Sequence, residues 1–202
     1  MKDWIGNSKS TYVMLGSSNH TDKERQIDDY YATDPKALKI FLDSIKNDGI
    51  ILHKNIWECS CGEGHLSRVL EEQGYITINT DIVDRGYNNN FKQLDFLKIN
   101  TIFDGDILTN PPYKYAKEFV EHSLELIKDG YYCVMFLKIQ FLEGQSRLKL
   151  FKKNPPKYVY VNSARQICAM NGRFDKYKST AICYCWFVWQ KGFKGESVIR
   201  WI

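Results

Sequence analysis

The chain has 202 residues, a length that predicts one domain with a complete hydrophobic core. Hydrophobic residues make up 44% and charged residues 26%, and no apolar run approaches the length needed to cross a membrane. The net charge of +4 hides an asymmetry: residues 1–130 carry 15 Lys and Arg against 21 Asp and Glu, whereas residues 131–202 carry 13 against 3. Without a visible secretion signal, we expect a cytoplasmic protein with reduced thiols.

The predicted secondary structure alternates between strands and helices. Residues 1–29 are polar and lack a sustained period, which predicts an N-terminal arm before a single domain over residues 30–202. Helical periodicity is found at 35–47, 65–73, 114–128 and 141–152. Strands are predicted at 55–59, 75–80, 91–95, 105–109, 131–138, 158–161 and 181–189. This order is typical of an α/β fold, a mainly parallel sheet with helices on both faces and an antiparallel hairpin at one edge.

A glycine-containing turn follows the first strand of this alternation. It reads Glu58-Cys59-Ser60-Cys61-Gly62-Glu63-Gly64 and leads into the helix that begins at residue 65. Glycine permits positive φ and a close approach of the backbone to a ligand, and a helix N-terminus favours polar ligand groups. The turn is neither a Walker sequence nor the three-glycine dinucleotide fingerprint. A tight turn without a ligand accounts for it equally well.

Acidic residues stand at the ends of two further predicted strands. Asp81 lies about 20 residues after the glycine turn, the spacing at which a carboxylate takes ribose hydroxyls in doubly wound folds. Asp95 and Phe96 follow another short extended segment. Acids at strand ends are common for solubility alone, so the ordered series is the stronger signal.

The most informative motif is Asn110-Pro111-Pro112-Tyr113, at the end of the apolar strand at 105–109. Asn supplies a side-chain carbonyl acceptor, the prolines restrict the backbone, and Tyr offers a face for stacking. Together they predict a rigid slot for a flat group that bears an amine. The alternative is a proline-rich turn that closes a strand.

Six cysteines are present, including two Cys-x-Cys pairs, Cys59/Cys61 and Cys183/Cys185. Zinc sites more typically use Cys-x-x-Cys pairs. Cys183 and Cys185 would point to one face of a strand, as small core residues do. We therefore expect no metal site.

The ordered motifs resemble the class I S-adenosylmethionine-dependent methyltransferases that methylate amino groups. They are most similar to the DNA adenine-N6 methyltransferases of bacteriophages and prophages, and the resemblance covers nearly the whole chain, including the segments 30–38, 136–144 and 185–189. It implies a Rossmann-like fold with seven strands, S-adenosyl-L-methionine as cofactor, and the cytoplasm of a bacterial or phage-infected cell. We expect no separate target-recognition domain in this chain.

The resemblance also implies a role for each motif. Gly62 and Gly64, with Glu58 and Cys59 in the same turn, would meet the methionine and ribose portions of the cofactor, and Asp81 would accept from the ribose hydroxyls. Asp95 would hold the adenine by a hydrogen bond and Phe96 by packing. Thr33 and Pro35 match the segment that closes over the methionine end, although Asp34 separates them here. Asn110 and the Pro111 carbonyl would accept from the target amine, Pro112 would stiffen the slot, and Tyr113 would stack on the base.

The expected partner is nucleic acid, with DNA favoured. The basic residues cluster at 147–153 and 173–178, where aromatic residues are interleaved with them, a pattern suited to a polyanion with stacked bases. A solvated lysine-rich surface is the plain alternative. RNA adenine and a protein glutamine amide are alternative substrates, since each presents a planar nitrogen. The alternative to an enzyme is a non-catalytic nucleic-acid-binding protein on the same scaffold. Oligomeric state is left open.

Overall fold

The computed structural model of the chain describes residues 30–170, 172–176 and 180–202, except for the side chain of Met170. The predicted arm at 1–29 lies outside this part of the chain, as do Tyr177 and Lys178 of the second basic cluster. No helix in the described ranges is both long enough and apolar enough to span a bilayer.

Four α-helices and ten β-strands are present within the described residues. The helices are α1 Pro35–Asn47, α2 His65–Glu72, α3 Ala116–Leu126 and α4 Gln145–Lys153. The strands are β1 Tyr31–Thr33, β2 Asn55–Glu58, β3 Ile76–Asp81, β4 Phe91–Gln93, β5 Asp106–Thr109, β6 Tyr132–Lys138, β7 Tyr158–Val161, β8 Cys168–Met170, β9 Tyr184–Gln190 and β10 Val198–Trp201.

Eight of these strands form the main sheet, in the order β4-β3-β2-β5-β6-β9-β7-β10. Neighbouring strands are parallel except at β9, which is antiparallel to both β6 and β7. The predicted α/β class is confirmed, and the predicted antiparallel pairing of the last two strands is that of β7 with β9. The predicted number of seven strands is one too low, because β10 adds a parallel strand outside β7.

A second, two-stranded sheet joins distant parts of the chain. The strand β1 pairs antiparallel with β8, with Thr33 opposite Cys168, and the Asp34 N–H donates to the Ile167 carbonyl at 3.0 Å. Neither strand was predicted, because each has only three residues and its partner lies far away in the sequence. The pairing ties the segment before α1 to the connection between β7 and β9.

The sheet separates two hydrophobic cores, and the alternation of side chains along β6 and β9 supplies both. Phe136 and Trp186 face the core beneath α1 and α2, with Phe41 stacked on Trp186 at 4.8 Å. Leu137 and Phe187 face the core beneath α3 and α4. Strands buried on both faces are apolar throughout, which is why both were visible as apolar runs.

Two predicted helices begin later than expected. A 3₁₀ turn, Tyr113–Tyr115, precedes α3, and another, Ile139–Leu142, precedes α4. Gly144, with φ of 105°, separates the second turn from α4. Only glycine adopts this φ readily, so the break before α4 falls at this residue. The apolar periodicity of the sequence continues across the break and therefore did not predict it.

Candidate active site

The carboxyl ends of β3, β2 and β5 bring the main predicted motifs to one edge of the sheet. The glycine turn follows β2, Asp81 ends β3, and Asn110 follows β5. The Gly62 N–H donates to Asp81 Oδ2 at 2.9 Å, and the Thr109 hydroxyl donates to Glu58 Oε1. Ligands of open α/β sheets bind beyond this edge, which we call the carboxyl edge.

Gly62 and Gly64 have positive φ values of 54° and 77°, as a turn of this kind requires. A Cβ on Gly62 would lie 2.1 Å from the ring of Tyr30, and one on Gly64 would lie 2.3 Å from the ring of Tyr87. The Tyr30 hydroxyl also accepts from the Glu63 N–H at 3.1 Å. Both glycines therefore have a structural reason to be glycine, the close approach of aromatic rings, which the sequence did not suggest.

Asp81 is buried and binds the turn through both oxygens, because Oδ1 accepts from the Val83 N–H at 3.1 Å while Oδ2 accepts from Gly62. Each carboxylate oxygen has a second lone pair, so the group can still accept from a ligand hydroxyl. Ile82, the next residue, is 58% exposed at the same edge. Ile82 was not predicted as a site residue, although the sequence shows that it directly follows the acid at the end of a strand.

Glu58 is fully buried at the end of β2. Burial raises the pKa of its carboxyl to about 8, against the opposing effect of hydrogen bonds from Thr109 and the Ser60 backbone. The group is therefore mostly protonated at neutral pH. Cys59 next to it points into the core beneath α3, and burial raises the pKa of its thiol well above the usual value. The Cys59 side chain is thus an inert core group.

Asp95 and Phe96 lie after β4 at the same edge but face different surroundings. Asp95 Oδ1 accepts from the Leu97 N–H at 3.1 Å, and Oδ2 pairs with Lys98 at 3.0 Å. The Phe96 ring is 2% exposed and makes an edge contact with Trp57 at 5.1 Å. The ring therefore faces the core, where it anchors the turn that presents Asp95.

Asn110 is held by its amide nitrogen, which donates to the backbone carbonyl of Tyr31 at 2.8 Å. Only the nitrogen of an amide can donate to a carbonyl, so this bond fixes which end is which. The amide oxygen is buried and has no hydrogen-bond partner among the residues that the structure describes. Pro111 is buried beside it and Pro112 is exposed. Asn110 therefore has a buried acceptor without a donor among the described residues, which is unusual because buried polar atoms are normally paired.

Tyr113, three residues after Asn110, packs in an aromatic cluster. Its ring lies 6.3 Å from Tyr31 and 6.0 Å from Tyr184, and its hydroxyl is 3.4 Å from the Cys168 sulfur. Burial raises the pKa of the Tyr113 phenol well above its usual value, so the hydroxyl stays protonated and cannot serve as a base. Tyr184 and Cys168 come from β9 and β8 and were not predicted as site residues.

The segment Thr33-Asp34-Pro35 follows Tyr31, whose carbonyl binds the Asn110 amide, and β1 is held there by its pairing with β8. Thr33 is buried opposite Cys168 in that pairing. Asp34 caps α1, because its side chain accepts from the Lys36 N–H at 2.9 Å, and Pro35 occupies the first helical position. Asp34 thus has a capping role, which explains an acid between Thr33 and Pro35.

The basic C-terminal third is divided between the two edges of the sheet. Residues 172–176 lie at the carboxyl edge, where the Phe174 ring meets the His65 ring at 5.3 Å and Arg173 and Lys176 are exposed. At the opposite edge, Lys194 donates to the Lys153 carbonyl at 2.9 Å. Because α4 and β9 both run away from the carboxyl edge, the charges near their ends lie far from Asn110.

The six cysteines are free thiols. Cys185 is buried in the core and Cys183 is partly buried. Within the described ranges, no group of three or more His, Cys, Asp or Glu residues is arranged to hold a metal ion.

No family profile and no curated protein matches the sequence. Solved structures do match over most of its length. A candidate class I S-adenosylmethionine-dependent methyltransferase from Listeria monocytogenes aligns with a TM-score of 0.59 and 12% identity, over 94% of this chain and 70% of that one. A candidate RNA methyltransferase from Pyrococcus horikoshii aligns with a TM-score of 0.59 and 15% identity, over 93% and 100%.

The methyltransferase subunit of a type I restriction-modification system from Streptococcus thermophilus aligns with a TM-score of 0.60 and 14% identity. That alignment covers 86% of this chain and 47% of the subunit. Alignments at identities this low show a shared fold and do not show a shared substrate. The chain has the Rossmann-like fold of class I S-adenosylmethionine-dependent methyltransferases.

Proposed function

We propose that this protein is an S-adenosyl-L-methionine-dependent methyltransferase that methylates the N6 amine of adenine in DNA. The observation that carries the proposal is the Asn110 side chain, whose nitrogen is held by Tyr31 while its buried oxygen is left without a donor. The fold, the glycine turn and the acids at the carboxyl edge supply the setting.

The cofactor fits the residues at this edge. Asp81 would accept from the ribose hydroxyls with its remaining lone pairs, and the exposed Ile82 side chain would cover one face of the adenine. Asp95 would accept from the adenine amine, and Gly62 and Gly64 would face the methionine and ribose portions. When bound, the cofactor supplies an electrophilic methyl group on a sulfonium.

Asn110 would orient the target nitrogen. An exocyclic amine on an aromatic base is a poor nucleophile because its lone pair is delocalised into the ring. The Asn110 oxygen and the Pro111 carbonyl would each accept a hydrogen bond from one N–H group of the amine. This arrangement favours the pyramidal nitrogen that forms during attack. As the nitrogen–carbon bond forms and the carbon–sulfur bond breaks, the nitrogen releases one proton to solvent. Tyr113 would hold the plane of the base by stacking.

The DNA assignment is supported by the exposed Lys176, which suits a polyanion and lies two residues after Phe174, the residue whose ring meets His65. A base in duplex DNA would have to leave its stack to reach the Asn110 oxygen, because that oxygen is buried. The amine chemistry is shared with RNA adenine and with a protein glutamine amide, so the substrate class is a separate question from the reaction.

The reaction is tested with Asn110→Ala, purified protein, labelled S-adenosyl-L-methionine and adenine-containing DNA. We expect cofactor binding to survive, while methyl transfer falls by roughly two orders of magnitude or more, the usual effect of losing one such polar group. Asn154→Ala is a matched control, since Asn154 ends α4 at the opposite edge. Transfer at the wild-type rate in the Asn110 variant would remove this residue from the chemistry.

The substrate is tested by comparing methyl incorporation into DNA, RNA and ribosomal proteins, with modified-adenine sequencing to locate the target. Incorporation into RNA or protein but not DNA would keep the reaction and overturn the substrate. Calorimetry that detects no cofactor binding would favour a non-catalytic nucleic-acid binder.

A further inference from the structure

Lys138 breaks the side-chain pattern of the central strand β6. Tyr132, Val134 and Phe136 point to the core beneath α1 and α2, and Lys138 is the next residue on that face. A strand that is apolar at successive positions of one face and then ends in a cation departs from the pattern that burial favours. Such departures concentrate at functional sites.

The register of the sheet puts Lys138 at the carboxyl edge, beyond the end of β5 that leads into Asn110. Thr109, the last residue of β5, pairs with Met135, so β6 continues three residues beyond it, a rise of roughly 10 Å. Lys138 itself pairs with Tyr184. Its Nζ lies 5.0 Å from the centre of the Tyr113 ring, the ring proposed to stack on the target base.

The Lys138 charge is not neutralised by a carboxylate. In the part of the chain that the structure describes, its Nζ lies over the Tyr113 ring and interacts electrostatically with the Cys168 thiol, and no Asp or Glu lies within ion-pair distance. Other lysines near strand and helix ends do have partners, such as Lys98 with Asp95 and Lys128 with Asp104. A half-buried cation without a carboxylate partner among the described residues can bind an anion that comes with the substrate.

We propose that Lys138 is a positioning residue that binds a backbone phosphate next to the target nucleotide. This inference rests on the proposed function. The ammonium of lysine is a compact, mobile point charge, which suits a phosphate oxygen better than a planar base edge. When the base stacks on Tyr113, the ammonium leaves the ring face and pairs with the phosphate. The slot would thereby favour a nucleotide within a strand over an uncharged substrate with the same amine.

The test compares wild-type protein with Lys138→Met, which keeps the apolar stem without the charge, and Lys138→Arg, which keeps the charge. Lys46→Met is the control, because Lys46 is exposed in the last turn of α1 and lies outside both basic clusters. Binding of an oligonucleotide that carries the target adenine is measured against salt concentration. We expect Lys138→Met to lower the steepness of the log–log salt dependence by about 0.7 for a single strand or about 0.9 for a duplex, and Lys46→Met to leave it unchanged.

A second measurement identifies the phosphate. The phosphate on the 5′ or on the 3′ side of the target adenosine is replaced by a neutral methylphosphonate, and kcat/KM is measured with each protein. We expect one of the two replacements to lower kcat/KM about tenfold for wild-type and Lys138→Arg. The same replacement should cause no further loss of kcat/KM for Lys138→Met. If the role of Lys138 were purely structural, Lys138→Met would lower kcat/KM equally on the unmodified oligonucleotide and on the two methylphosphonate oligonucleotides.

The outcomes separate this inference from the proposed function. No cofactor binding and no methylation of DNA by the wild-type protein would overturn the proposed function itself. Normal methylation by wild-type, with an unchanged salt slope in Lys138→Met and equal methylphosphonate effects in both proteins, would overturn the phosphate contact alone.

Discussion

Replacing Glu58 by Gln should change how the stability of the protein depends on pH. The Glu58 carboxyl is buried, and burial raises its pKa from 4.5 to about 8. Between these two values the native state keeps the proton while the unfolded state loses it. Native stability therefore falls as pH rises through this window, and the loss is complete above about pH 8.

The size of the effect follows from the width of the window. One proton per molecule corresponds to ~1.4 kcal/mol for each pH unit. Over the interval from pH 4.5 to about 8, the contribution is on the order of 5 kcal/mol. Glutamine is neutral in both states and can accept from Thr109 as Glu58 does, so Glu58→Gln should not show this loss.

The assay is urea denaturation of wild-type and Glu58→Gln protein at half-unit steps from pH 5 to 8.5. The difference in unfolding free energy between the two proteins isolates Glu58, because Asp106, whose pKa burial raises to about 6, is present in both. We expect the wild-type protein to lose stability relative to the variant by ~1.4 kcal/mol per pH unit up to about pH 8. Glu196→Gln, on an exposed loop, should track wild-type. A wild-type-minus-variant difference that stays level across the range would refute the buried, protonated carboxyl.

Two further substitutions probe the glycine turn and its partner acid. Gly64→Ala should destabilise the fold by more than Gly86→Ala, since both have positive φ near 80° but only the Gly64 Cβ would meet a ring, that of Tyr87. Gly86→Ala should lower the unfolding free energy by roughly 1–2 kcal/mol for the backbone alone. Equal losses of unfolding free energy in the two variants, measured by chemical denaturation, would show that the Tyr87 ring moves aside without cost. Asp81→Asn should weaken cofactor binding by about tenfold or more in calorimetry, because the amide is a poorer acceptor for ribose hydroxyls. Cofactor affinity equal to wild-type would remove Asp81 from the proposed ribose site.

The positions of several candidate-site residues could be predicted because they depend on short stretches of sequence. The glycine turn, Asp81 and Asn110 each follow a strand whose apolar run is local, and parallel strands place their carboxyl ends at one edge. The contacts that complete the site join residues far apart in the chain. The Tyr31 carbonyl holds Asn110 across 79 positions, and the Tyr113 hydroxyl meets Cys168 across 55. No local period encodes such pairings.

The sequence by itself determined the alternation of strands and helices, and with it the α/β class, because side-chain periodicity is a property of consecutive residues. Only the tertiary structure decided that β9 lies between β6 and β7, that β10 extends the sheet, and that β1 pairs with β8. It also divided the basic C-terminal residues between two edges and brought the Lys138 ammonium to the Tyr113 ring. These features arise from pairing between distant segments, whose free energy depends on the whole assembled sheet and not on any stretch within it.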